Sequence, residues 1–93
     1  MSVVVRVPSQ LRSLTAGASE IQVDALTVRA ALVAADVVSP GLAERVLDND
    51  GRLRRFVNVF VADEDVRFLD GLDTTVTSGQ VISIVPAVAG GAI

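Results

Sequence analysis

Two residue types that carry much of enzyme chemistry are missing from this chain. The 93 residues include no Cys and no His, which excludes thiol nucleophiles, histidine bases and Cys/His zinc sites. No convergent pair of carboxylates is evident, so we expect no autonomous enzyme. After Pro86 the chain continues without charged or aromatic side chains, as Ala87, Val88, Ala89, Gly90, Gly91, Ala92, Ile93. This composition predicts a thin, flexible segment because glycine permits many backbone conformations.

Alternating apolar residues predict the strands that would position this tail. The pattern predicts strands over 2–8, 20–23, 56–62, 66–68 and 81–85. Pro8 ends the first of them, because proline has no N–H to donate, and residues 9–18 read as a polar connection. The 18 valines of the chain suit such strands, since β-branched side chains pack well on a pleated surface.

Helical spacing appears between the second and third predicted strands. Thr27 is typical of an N-cap, and the apolar stripe of the helix that follows is Val28, Ala31, Leu32, Ala35. Ser39 as a cap and Pro40 as the first residue predict a second short helix that ends at Leu47. Residues 48–51 read as a turn that resembles the start of a calcium loop. Arg52 stands at the next acidic position of that pattern, so we predict no metal site.

The predicted order is therefore β-β-α-(short α)-β-β-β. We predict an α+β fold of the β-grasp (ubiquitin-like) type, a small mixed sheet with one main helix packed across one face. The predicted division is a β-grasp domain over 1–86 and a C-terminal tail over 87–93.

Charge and hydropathy exclude two classes of partner. Eight Arg and no Lys against 11 acidic residues give a net charge of −3, which disfavours nucleic acid binding. No apolar run reaches the roughly 18 residues that a membrane span needs. We expect neither a membrane segment nor a targeting leader, and hence a cytoplasmic protein.

Three stretches carry a resemblance to a known family. They are 55–59 (RFVNV), 63–68 (DEDVRF) and 81–91, which ends in Pro-Ala-Val-Ala-Gly-Gly. On these residues the chain resembles the ThiS/MoaD family of ubiquitin-like sulfur carriers, which are protein cosubstrates and not enzymes. The resemblance implies that Gly91 carries the sulfur. It also implies that the preceding residues thread into a partner enzyme, namely Ala87, Val88, Ala89, Gly90.

The resemblance also implies the partners of the tail. An adenylyltransferase of the ubiquitin-activating type would use ATP to adenylate the carboxylate of Gly91, and sulfide or a persulfide would displace AMP. The resulting thiocarboxylate would donate its sulfur to a downstream biosynthetic enzyme, for cysteine or for a sulfur-containing natural product. The chain itself is expected to bind no cofactor.

Ala92 and Ile93 follow the glycine pair and block this chemistry, because a backbone amide cannot be adenylated as a carboxylate can. By the resemblance we predict that a JAMM-type zinc metalloprotease cleaves between Gly91 and Ala92. The alternatives are a cloning remnant and a carrier that is never activated.

Two questions stay open at the level of sequence. Phe60, Phe68 and Arg55 are candidates for an apolar patch that docks on the activating enzyme, although Phe60 could equally belong to the core. The function could also be that of a protein modifier conjugated through Gly91, or of a non-covalent β-grasp binding module that does not use its tail.

Overall fold

A computed structural model describes residues 2–86, and Met1 and the predicted tail over 87–93 lie outside the described part. Three short 3-10 helices occur at Ser9–Thr15, Val66–Phe68 and Gly71–Asp73. The strands and α-helices are β1 (Ser2–Arg6), β2 (Glu20–Asp24), α1 (Val28–Val38), α2 (Leu42–Val46), β3 (Val57–Val61), β4 (Glu64–Asp65) and β5 (Val81–Pro86).

The strands form one mixed sheet in the order β2-β1-β5-β3-β4. The central pair β1 and β5 is parallel, and every other neighbouring pair is antiparallel. The first and last strands of the fold thus meet in the middle of the sheet. With α1 packed across one face, this is the β-grasp fold, and the predicted fold is confirmed.

The core lies between the sheet and α1. Alternate residues of each long strand turn toward the helix and are buried, as strand geometry requires. Burial of each such Val, Leu or Ile side chain contributes about 1.5–3 kcal/mol. The largest fully buried side chains are Val3, Val5, Val7, Val28, Leu32, Leu42, Val46, Val59, Val66, Val76 and Ile82.

The predicted start of α1 is confirmed. Thr27 has an extended backbone, and its hydroxyl accepts a hydrogen bond from the amide of Ala30 at 3.2 Å. This bond satisfies one of the free amides of the first turn. The predicted apolar stripe is buried in full, at Val28, Ala31, Leu32, Ala35.

The predicted start of α2 is wrong. The helix begins at Leu42, after Gly41 with a φ of 97°, and Ser39 instead caps the end of α1. One carboxylate oxygen of Asp36 accepts hydrogen bonds from the amides of Gly41 and Ala43, each at 3.0 Å. Because Asp36 takes over the role of the cap, Ser39 and Pro40 do not initiate the helix.

Two connections also differ from the prediction. Residues 66–68 form a 3-10 helix and not a strand, because the Asp65 carboxylate accepts from the amide of Arg67 at 2.8 Å and turns the chain. The strand that pairs with β3 is the short β4, which lies between the predicted strands over 56–62 and 66–68. The polar connection before β2 contains the 3-10 helix Ser9–Thr15, where the hydroxyl of Thr15 donates to the carbonyl oxygen of Arg12.

Candidate functional site

The tail follows Pro86, the last residue of β5, which is a central strand of the sheet. In the antiparallel register between β3 and β5, Pro86 lies opposite Val57 and Val85 opposite Asn58. The tail therefore begins at the end of the sheet where β3 starts. The predicted threading, sulfur-carrying and cleavage residues lie outside the described residues: Ala87, Val88, Ala89, Gly90, Gly91, Ala92.

Phe60 lies on the face of the sheet that α1 does not cover. Along β3, Val57, Val59 and Val61 are buried on the helix side, whereas Asn58 and Phe60 are half-buried on the other side. A core position for Phe60, which the sequence left open, is therefore excluded.

The surroundings of Phe60 form a largely apolar surface. Phe60 lies opposite Ser83 of β5, and Val4 of β1 lies opposite Val81 of β5. The open sheet face, as we call this surface, comprises Val4, Asn58, Phe60, Val81, Ser83 and Val85. Arg6 and Glu20 stand beside it on β1 and β2 and form an ion pair at 3.5 Å. Apolar surface with a polar rim is typical of protein docking sites.

Exposed aromatic and basic residues surround the point where the tail departs. Phe56 is 66% exposed and directly precedes β3, and the guanidinium of Arg55 lies 6.0 Å from its ring centroid. That distance is at the outer limit of a cation–π contact. Phe68 is 83% exposed, on a 3-10 helix at the edge of the sheet. We call this region the tail-exit end, defined by Arg54, Arg55, Phe56, Arg67, Phe68 and Pro86.

The three predicted patch residues thus divide between two adjoining surfaces. Phe60 belongs to the open sheet face, whereas Arg55 and Phe68 belong to the tail-exit end. Val85 of the open sheet face directly precedes Pro86, so the two surfaces are continuous.

Arg67 holds the tail-exit end together, and sequence reasoning missed it. Its guanidinium donates to the side-chain oxygen of Asn58 at 2.7 Å and to the carbonyl oxygens of Val57 and Arg54 at 2.9 and 3.1 Å. Within residues 2–86 it pairs with no carboxylate. The only local signal was the Asp65 cap, which turns the chain so that Arg67 reaches back along β3.

Asp48 holds the turn at residues 48–51, which precedes Arg52, Arg54 and Arg55. Its carboxylate accepts from the amides of Asp50 and Arg52 at 2.9 and 3.0 Å. The hydrogen bond from Arg52 lowers the pKa of Asp48 below its usual value, opposed by partial desolvation and assisted by the bond from Asp50. Because the pKa of Asp48 is lower in the folded state than in the unfolded state, this carboxylate stabilises the fold at pH values above its unfolded pKa. Its contribution is lost as the pH falls through its folded pKa.

Two further features of residues 2–86 bear on the kind of site. No group of three or more His, Asp or Glu side chains there is arranged to hold a metal ion. No helix in this part of the chain is long and apolar enough to cross a membrane. What the described part offers is a docking surface that continues into the exit of a tail.

A β-grasp sheet whose central strand ends beside an apolar open face is the architecture of a ubiquitin-like protein. Residues 5–91 match the ThiS family. The chain belongs to the ThiS family, as the resemblance in its sequence implied.

Three relatives illustrate the similarity. Sulfur carrier protein CysO of Mycobacterium tuberculosis is 41% identical over 93 residues, covering 98% of this chain and 100% of CysO. A chain of the crystal structure of the Amycolatopsis orientalis BexX/CysO complex superposes with a TM-score of 0.90 at 38% identity, covering 96% of this chain and 99% of that one. Small archaeal modifier protein 3 of Haloferax volcanii is 37% identical over 68 residues, 73% of each chain.

Proposed function

We propose that this chain is a sulfur carrier that transports sulfur as a thiocarboxylate on Gly91. The observation that carries the proposal is the similarity to CysO, a named sulfur carrier, across nearly the full length of both chains. The fold supports it, because the central strand β5 ends at Pro86 beside a surface suited to docking. In this role the chain is a cosubstrate, and other enzymes act on it.

The first step is removal of the residues that follow Gly91. Hydrolysis of the Gly91–Ala92 peptide bond consumes one water, frees the Gly91 carboxylate and releases the segment that begins with Ala92-Ile93. The match to the ThiS family ends at Gly91, which supports this position as the functional terminus. We assign the step to a JAMM-type zinc metalloprotease, in keeping with the resemblance described above.

Activation and sulfur transfer follow on the freed carboxylate. A carboxylate oxygen attacks the α-phosphorus of ATP in an adenylyltransferase of the ubiquitin-activating type, and pyrophosphate leaves. Hydrosulfide then attacks the carbonyl carbon, AMP leaves, and the sulfur stays on Gly91 as a thiocarboxylate. Glycine at 90 and 91 suits this chemistry, since the absence of a Cβ lets the backbone approach the nucleotide closely.

Docking on the activating enzyme uses the open sheet face together with the tail-exit end. Phe60 and Val85 provide apolar contact, and aromatic residues are typical anchors of interfaces. Arg54 and Arg55 are exposed and pair with no carboxylate among residues 2–86, so an acidic rim on the enzyme is the complementary surface. Residues 1–86 thus serve as the docking body, and 87–91 of the processed chain as the threaded tail.

The destination of the sulfur is a biosynthetic enzyme. The CysO likeness favours cysteine formation, and the BexX/CysO complex is a precedent for a ubiquitin-like carrier bound to a partner protein. A sulfur-containing natural product is the other destination that we consider. ATP-dependent activation suits the cytoplasmic location expected from the sequence.

The experiment compares three forms of the chain with the activating enzyme. We expect ATP–pyrophosphate exchange with a chain that ends at Gly91. We expect none with a matched chain that ends at Gly90, nor with a chain that retains Ala92-Ile93. Adding the metalloprotease to the longest form should restore exchange. Equal exchange with the Gly90 and Gly91 forms would contradict the assignment of Gly91.

A protein-modifier function is the second candidate, favoured by the similarity to small archaeal modifier protein 3. It predicts isopeptide-linked adducts of Gly91 with lysines of other proteins, in place of a thiocarboxylate. Because this chain contains no Lys, such adducts would be single and would not extend through its own side chains. The binding-module alternative differs from both, because it predicts that removal of residues 90–93 has no effect on function.

A further inference from the structure

The outer face of α1 carries a second apolar surface, on the opposite side of the molecule from the open sheet face. Val33 is 54% exposed and Val37 is 78% exposed, and Ala30 is exposed as well. These residues are spaced by three and four positions, so they form one stripe along the helix. The residues that face the sheet are different ones, and the stripe has no partner within residues 2–86.

The charges beside this stripe are arranged against the dipole of their own helix. Arg29 and Asp36 are the two charged residues of α1, and they are seven positions apart, which places them on one flank. Arg29 stands in the first turn, where a helix favours negative charge, and Asp36 stands toward the end, where it favours positive charge. The contacts that Arg29 and Asp36 make within the fold use only part of their capacity for hydrogen bonds and ion pairs.

Each of the two side chains keeps capacity for another partner. Arg29 donates to the carbonyl oxygen of Gly51 at 2.7 Å and lies 3.8 Å from the carboxylate of Asp73, an exposed and long ion pair. Asp36 uses one carboxylate oxygen for both backbone bonds to the start of α2. Its second oxygen has no hydrogen-bond partner among the described residues.

The geometry points to a second copy of this chain as the occupant of the outer α1 face, with the two helices antiparallel. A two-fold axis near Val33 would bring the two apolar stripes together, as an isologous interface requires. Residues on the same flank then meet, so Arg29 of one copy faces Asp36 of the other. Each charge also lies beside the end of the partner helix that favours its sign.

This association is expected to be weak. A helix of 11 residues is about 16 Å long and about 10–12 Å wide, and the resulting strip is far smaller than the roughly 800 Å² per partner of a stable interface. We expect a dissociation constant of about 0.1–1 mM. The open sheet face and the tail exit stay accessible in the pair, so self-association does not compete with activation.

The experiment is a concentration series of amide NMR spectra, supported by sedimentation analysis. Between about 0.05 and about 2 mM we expect shifts centred on Ala30, Val33 and Val37, with sedimentation moving from monomer toward dimer. Val37→Asp should weaken the association at least about fivefold, because it buries an unpaired charge against the partner's stripe. Arg29→Glu should weaken it by a similar factor, because it places two carboxylates opposite each other.

The controls are matched to these variants. Val38 is 63% exposed but lies about 100° around the helix from Val37, so Val38→Asp should change the association by less than about twofold. Arg45→Glu is the control for Arg29→Glu, because it makes the same charge reversal on α2, away from the stripe. Concentration-independent spectra, shifts confined to the open sheet face, or equal effects of Val37→Asp and Val38→Asp would each overturn the proposal. Adenylation of the Gly91 form is expected to be unchanged in Val37→Asp, which separates this test from that of the sulfur-carrier function.

Discussion

The two ends of β3 are built in opposite ways. At its start, Arg54, Arg55 and Phe56 are exposed, and Arg67 donates hydrogen bonds to backbone carbonyls of the same end. At its finish, the chain turns at once through Ala62 and Asp63, both with positive φ, and returns as β4. The basic end adjoins the tail, and the acidic end is a hairpin.

The residues of the acidic end are used by contacts within the fold, whereas those of the basic end are available to a partner. The acidic turn is closed by its own chain, since Val61 pairs with Glu64 and the Asp65 carboxylate caps the next turn. At the basic end, the side chains of Phe56 and Arg55 make no hydrogen bond, ion pair or ring contact within residues 2–86 beyond the one with each other. Exposed aromatic and arginine side chains beside a tail exit are what a docking partner would bind.

The largest effect is expected at Phe60, the aromatic residue of the open sheet face. Phe60→Ala should raise the KM of the activating enzyme for the Gly91 form about tenfold or more, because central aromatic anchors contribute about 2 kcal/mol or more. Circular dichroism and thermal unfolding check that the variant folds. Phe68→Ala, in the tail-exit end at the edge of the sheet, is the peripheral comparison and should raise KM by less than about threefold, because residues at the rim of an interface contribute less than central anchors. The reverse order of these two effects would move the docking surface away from the open sheet face.

Charge reversal should change the KM of the activating enzyme at the basic end of β3 and not at the acidic end. Arg55→Glu should raise KM about threefold to tenfold at low salt, and the effect should shrink as salt screens the charges. Glu64→Arg reverses a charge at the acidic end and should leave KM within about twofold. Equal responses of the two variants would mean that only the overall charge matters and would remove the case for a basic docking rim.

Arg67 should affect stability as well as docking. Arg67→Met removes its three side-chain hydrogen bonds and should lower the free energy of unfolding by about 1–2 kcal/mol, measured by urea denaturation. Arg55→Met is the comparison, since Arg55 makes no hydrogen bond in the described structure, and it should change stability by less than about 0.5 kcal/mol. An unchanged midpoint of urea denaturation in Arg67→Met would show that these hydrogen bonds do not hold the tail-exit end.

The smallest effect is expected in the acidic turn at residues 62–65. There the substitution should raise stability, whereas Arg67→Met should lower it. Asp63 has a φ of 71°, where glycine is favoured, so Asp63→Gly should raise the free energy of unfolding by about 0.5–1 kcal/mol. Asp70→Gly is the control, because Asp70 has a φ of −99° and should gain nothing. The rate of adenylation should not change in either variant. A large loss of adenylation in Asp63→Gly would assign the acidic turn a role in docking.

The parts of the fold that the sequence predicted depend on local periodicity. The alternation in β3 and β5, the Thr27 cap and the apolar stripe of α1 are each confirmed within a residue or two. These features follow from burial on one face and from one short-range hydrogen bond. The β-grasp order followed from them, since few arrangements bury five such stripes around one helix.

The parts that failed depend on contacts distant in sequence. Asp36 caps α2 from the previous helix, so the Ser39-Pro40 signal at the expected start was misleading. Residues 66–68 have the composition of a strand, yet the cap at Asp65 turns them into a 3-10 helix. Within the site, the face occupied by Phe60 required the sheet register, and the role of Arg67 required the fold of the loop.

The most direct test of the sulfur-carrier function is the intact mass of the chain recovered from the organism that encodes it, under sulfur demand. The proposed function predicts a form that ends at Gly91, without Ala92-Ile93, in which one terminal oxygen is replaced by sulfur. A chain that always retains Ala92-Ile93, with no sulfur added, would contradict both the processing step and the role of Gly91.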